Sequence, residues 1–113
     1  MNNSNLNNSQ LVKLEIFVPT THLEQITAAL QASGAGSSER YDSVLSYSAV
    51  TGRWRPLPGA NPYNGEIGKI CEAAEYKIEV NCPLVNLAQI IAAVKAAHPY
   101  EEPLINVLAL LKV

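Results

Sequence analysis

Apolar and polar residues alternate along Val12–Val18, and this two-residue period in a segment rich in β-formers predicts a strand with one buried face. Pro19 ends it. The period then lengthens. Leu23, Ile26, Thr27 and Leu30 fall on one side of a helix, with Thr21 and Glu24 spaced as a capping box at its start. Gly34 and Gly36 supply the positive-φ residues that stop it. A second strand is expected over Ser43–Val50, turning at Thr51-Gly52 into a hairpin partner, Arg53–Leu57. Pro58–Gly68, punctuated by glycine and proline, reads as a loop. Ala74–Val80 reads as a strand, closed by Pro83, and Val85–Ala97 as a helix with Leu87, Ile90, Ile91 and Val94 on one face. The segment His98-Pro99-Tyr100-Glu101-Glu102-Pro103 leads into a last strand, Leu104–Leu111. That strand is apolar at nearly every position and is expected to be buried on both faces.

Sliding the chain along itself by 64 residues lays Lys13–Gly34 over Lys77–His98 without a gap, and nine of the 22 positions are identical. The matches include Lys13/Lys77, Glu15/Glu79, Pro19/Pro83, Leu23/Leu87 and Ile26/Ile90. Strands, prolines and helix faces register together, so each half is one strand–helix–strand unit. Two such units give an α+β, ferredoxin-like βαββαβ sandwich: a four-stranded antiparallel sheet with two helices on one face. The other face is left open. An apolar open face, together with the apolar last strand, favours a homo-oligomer, dimer or trimer.

With 113 residues the chain has room for one domain, expected over 11–113, after an Asn/Ser-rich tail at 1–10 that lacks the marks of a signal peptide. A formal charge of −2 and the absence of a Lys/Arg cluster argue against nucleic acid. No apolar run is long enough to span a membrane. The two cysteines, Cys71 and Cys82, lack CxxC spacing, which points to reduced thiols in a cytoplasmic protein, with Cys82 acting as a small core residue.

The familiar catalytic signatures are missing, so a non-catalytic role is expected. Two segments could still carry chemistry. In the first, His98 ends a helix, where the macrodipole favours its protonated form; with Glu101 and Glu102 it could ligate a divalent cation. The plainer reading is a helix stop and strand entry anchored by Tyr100. In the second, the loop Gly59–Gly68 carries Asn61, Tyr63 and Glu66 among glycines that permit close backbone approach. It could bind a ligand through backbone amides, or simply pack over the sheet edge. Arg53, Trp54 and Arg55 form too small a cationic-aromatic patch for single-stranded nucleic acid, and Trp54 reads as a packing or subunit-contact residue.

The run from Gly52 to Gly68, followed by a helix and then His98–Pro103, resembles the YqfO-type, CutA-like domain of Nif-three-like proteins over about Leu11–Val113. The resemblance implies a ferredoxin-like fold of the CutA and PII-like type that self-associates. It implies small-ligand sensing or protein interaction, with ligands near the hairpin in clefts between subunits, or divalent-ion binding as in CutA-like proteins. It implies no hydrolase activity, because the dimetal centre of the larger proteins belongs to a flanking domain. Asp42–Ser46 also lacks the cysteine or histidine that relatives often carry in the second strand. The residues to test are Asn61, Tyr63, Glu66, His98, Tyr100 and Glu101 for a ligand, and His98, Glu101 and Glu102 for a metal.

Overall fold

In the computed structural model, residues 10–111 are described, so most of the expected tail lies outside the described residues. Six principal elements follow one another: β1 (Leu11–Pro19), α1 (Leu23–Ala32), β2 (Ser46–Trp54), β3 (Cys71–Pro83), α2 (Leu87–Ala97) and β4 (Ile105–Ala109). The sheet order is β2-β3-β1-β4, and every neighbouring pair is antiparallel. The fold is the expected ferredoxin-like α+β sandwich. Alternation on β1 sends Val12, Leu14, Ile16 and Val18 into the core, where they meet Ile78, Val80 and Cys82 of β3. Helices cover that face with Ile26 and Leu30 from α1 and Ile90 and Val94 from α2, the residues expected from the helical period. Each such side chain contributes roughly 1.5–3 kcal/mol by leaving water.

The duplication is visible in three dimensions. Both central strands end in proline, both prolines lead into a one-turn 3-10 helix (Thr20–His22 and Leu84–Asn86), and both α-helices begin at leucine, Leu23 and Leu87. β1 and β3 pair with Glu15 opposite Glu79, residues that are themselves one repeat apart. A local twofold axis therefore passes between them and makes the same ion pair twice. Lys13 Nζ lies 2.9 Å from Glu79 Oε1, and Lys77 Nζ lies 3.4 Å from Glu15 Oε2. The first pair raises the pKa of Lys13 and lowers that of Glu79, chiefly through their hydrogen bond.

Four expectations need correction. The open face is not apolar at its centre, because the alternation that buries Leu14 and Ile16 places Lys13, Glu15, Lys77 and Glu79 on the other side. Within the chain β4 is not doubly buried. As an edge strand it packs only Ile105 against the core, and Val107 and Leu108 are each 42% exposed. The capping box does not form: the 3-10 turn precedes α1, and the Thr21 hydroxyl pairs with His22 Nδ1 at 2.8 Å. Finally, Thr51-Gly52 is no turn. β2 runs straight through it and pairs along its whole length with β3, so the partner expected at Arg53–Leu57 is partly β2 itself.

Candidate functional site

α2 stops at His98, whose backbone is extended (φ −85°, ψ 134°) ahead of Pro99. The imidazole is 8% exposed and wedged between two backbone groups. The carbonyl oxygen of Phe17 can only accept, so His98 Nε2–H donates to it at 2.7 Å; the Tyr100 N–H can only donate, so Nδ1 accepts from it at 3.1 Å. These partners select the neutral ring with the proton on Nε2. Burial lowers the His98 pKa, opposed by the bond to Phe17, so the macrodipole argument for a charged histidine is outweighed by desolvation.

This wedge aims Tyr100 across the end of β1 onto the open sheet face. Its hydroxyl donates to Glu75 Oε2 at 2.6 Å. Burial and the Glu75 carboxylate both raise the Tyr100 pKa, which keeps the phenol a donor. Glu75, on β3, is 5% exposed. Its space comes from Gly52 on the neighbouring strand, where a Cβ would stand 2.4 Å from the carboxylate. That close approach explains the glycine, which occupies a strand and has no positive φ.

The long connection between β2 and β3 folds over the same end of the sheet. Its base is closed by the Gly68 N–H donating to the Pro56 carbonyl at 2.7 Å. Trp54 Nε1 donates to the Asn64 carbonyl at 3.1 Å, and Gly65 adopts a φ of +107° with its backbone packed so close that a Cβ would stand 3.3 Å from both Trp54 Nε1 and Pro56 Cγ. The Glu101 carboxylate accepts the Asn61 N–H through both oxygens, at 3.1 and 3.2 Å, and so ties the loop to the segment after α2. Between these walls lies a groove of about 620 Å³, bordered by Trp54, Tyr63, Glu75, Tyr100, Glu101 and Glu102 among others. The Tyr100 ring centre is 5.7 Å from Trp54 and 6.0 Å from Tyr63.

The structure thus brings together Asn61, Tyr63, Tyr100, Glu101 and Glu102, while His98 supports Tyr100 from beneath. Glu66 is not among them; it pairs with Lys69 at 2.9 Å, both side chains exposed. The metal set is not assembled. Both His98 nitrogens are already engaged, and among the described residues no three His, Cys, Asp or Glu side chains are placed to hold an ion. Sequence reasoning missed Glu75. In β3 it is one of three acidic residues, with Glu72 and Glu79, and nothing in the sequence marks it out from them save the glycine that β2 offers beside it.

No family model matches the chain. Over 103 residues it is 41% identical to a Mycobacterium leprae protein named GTP cyclohydrolase 1 type 2 homolog, covering 90% of this chain but 26% of that protein. The chain spans about a quarter of the length of such relatives. Among solved structures, a Bacillus cereus protein related to NIF3 superposes with a TM-score of 0.79 at 32% identity, over 90% of this chain and 26% of that one. CutA from Archaeoglobus fulgidus, named a divalent cation tolerance protein, superposes at 0.67 and 19% identity over 91% and 86% of the two chains. The likeness to CutA is one of fold, while the likeness to the NIF3-related protein extends to sequence. Over about nine-tenths of its length the chain is thus similar in sequence and fold to a segment of longer NIF3-related proteins, and it shares its fold with CutA.

Proposed function

We propose that this is a non-catalytic, homo-oligomeric domain for small-ligand sensing or protein interaction, with its ligand held in the groove around Glu75 and Tyr100. The observation that carries the reading is convergence. Two segments about 40 residues apart in sequence, tied by Glu101 and Asn61, close on one concavity. Its volume of about 620 Å³ suits a small molecule, since ligand pockets run to roughly 300–1,000 Å³. Aromatic walls with a few placed polar groups are the usual make-up of such sites. Self-association is supported by the short apolar edge strand β4, with Val107 and Leu108 exposed on it and Leu104 exposed just before it.

Chemical-shift mapping against a mixed panel of small molecules tests the groove. Saturable shifts at Gly52, Tyr63 and Tyr100 are expected, and a panel that leaves all three unmoved contradicts the reading. Sedimentation at micromolar concentration tests the assembly, for which a monomer is the contrary result. A divalent cation has less behind it. The name of the CutA relative suggests it, but His98 does not fit as a ligand here. Calorimetry with zinc or copper would restore that reading if it showed binding that disappears in a Glu101→Gln, Glu102→Gln variant.

A further inference from the structure

Three carboxylates border the groove, those of Glu75, Glu101 and Glu102. Among the described residues, none of them has a cationic side chain within ion-pair distance, whereas Glu15, Glu66 and Glu79 all do. Glu75 is decisive. It is 5% exposed, and among the described residues its one hydrogen bond is the one Tyr100 gives to Oε2. No fully enclosed side-chain oxygen among the described residues lacks a partner, so Oε1 keeps an opening onto the groove that Glu75 lines. A carboxylate withdrawn from water with one neutral donor is under-solvated, and a cation placed against its open oxygen relieves that.

The walls select which kind of cation. Trp54, Tyr63 and Tyr100 border the same space, and the faces of such rings attract organic cations through their quadrupoles. A metal ion gains little from them, since a hard cation needs a shell of oxygen ligands, and no three-ligand group is present among the described residues. Arg53 and Arg55 also border the groove, but both are exposed and occupy positions that alternate with Gly52 and Trp54. Strand alternation directs Arg53 to the face opposite Glu75, Arg55 follows the end of β2, and among the described residues neither forms an ion pair with Glu75.

We infer that the groove binds an organic cation, a protonated or methylated alkylamine, with its charge on Glu75 and its alkyl groups against Trp54, Tyr63 and Tyr100. The inference rests on the reading of the groove as a ligand site. A free amine and a lysine side chain of a partner share this chemistry, and the experiment separates them.

Trp54 is the chain's single tryptophan, so its emission reports on the groove. The protein is titrated with tetramethylammonium and butylammonium chloride, with neopentyl alcohol and pentanol as neutral counterparts, at constant ionic strength. Saturable changes are expected with the cations, about tenfold or more tighter than with the neutral compounds. Glu75→Gln keeps the shape of the side chain and an acceptor for Tyr100, and brings cation affinity down to that of the neutral compounds. Should that variant fail to fold, Tyr63→Leu, at a residue 55% exposed, serves instead and weakens the cations several-fold. A lysine peptide, unmodified and trimethylated, binding more tightly than the free amines identifies a protein source; the reverse order identifies a free amine. Equal binding of cations and neutral compounds, or undiminished cation binding by folded Glu75→Gln, overturns the inference while leaving the groove a ligand site. Silence toward the cations, the neutral compounds and the peptides alike overturns both.

Discussion

The two helices start one repeat apart and end in different ways. α1 ends through its backbone: the N–H groups of Ser33, Gly34 and Ala35 donate to Ala29, Gln31 and Leu30, and Gly34 and Gly36 adopt φ values of +90° and +72°. Gly36 then passes so close beneath Val44 that a Cβ there would stand 2.4 Å from the Val44 carbonyl oxygen. α2 has His98 at the position matching Gly34 and ends through that side chain, which bridges Phe17 and Tyr100. Glycines return the chain compactly toward β2. The histidine instead holds it extended and delivers Tyr100 to Glu75. A duplicated scaffold has thus kept its core and changed one helix exit, and the groove lies at the changed one.

That contrast can be broken at several points. His98→Ala should be the most damaging, at about 2–4 kcal/mol in urea unfolding, because it removes a buried ring and strands the Phe17 carbonyl and the Tyr100 N–H. A loss no larger than that of a surface change would mean the wedge is not structural. Gly52→Ala should cost about 1–3 kcal/mol by driving a methyl group into the Glu75 carboxylate. Most of that should be recovered in a Gly52→Ala, Glu75→Ala double variant, since the pair shares one space. At the glycine exit, Gly34→Ala should cost roughly 1 kcal/mol from its positive φ alone, as nothing lies within 4 Å of the added Cβ.

The smallest effect is the pH dependence contributed by His98. Its folded pKa lies below the ordinary 6.5, so as pH falls through that value the unfolded chain takes up the proton first. Stability is therefore fully present above about pH 6.5 and declines as pH falls toward the folded pKa. Urea midpoints compared at about pH 7.5 and about pH 5.5 should show this decline, reduced in His98→Gln. The lowered pKa of Glu79 acts in a separate window, below its ordinary 4.5, where protonation removes the stability of its pair with Lys13.

The architecture was legible because period and repeat act locally. Leu14, Ile26, Ile90 and the two prolines announce their places without any knowledge of the rest of the chain. The errors came where a residue's reason lies across the fold. Gly52 suggests a turn because glycine is common in turns, whereas it is required by a carboxylate 23 residues further on. The apolar run of β4 suggests burial on both faces, whereas its edge position leaves much of it open. The helix dipole favours a charged His98, but that effect is smaller than the burial that only tertiary structure creates. The loop and the segment after α2 were each singled out, but their meeting through Asn61 and Glu101 depends on the order of the strands.

A double-mutant cycle between Tyr100 and Glu75 tests most directly whether the α2 exit organises the groove. Stabilities are measured by urea unfolding for Tyr100→Phe, Glu75→Leu and the double variant. The hydrogen bond from a phenol to a buried carboxylate predicts a coupling of about 1.5–3 kcal/mol. Effects that add to within roughly 0.5 kcal/mol would show the two residues to be independent, and would contradict a groove built on their contact.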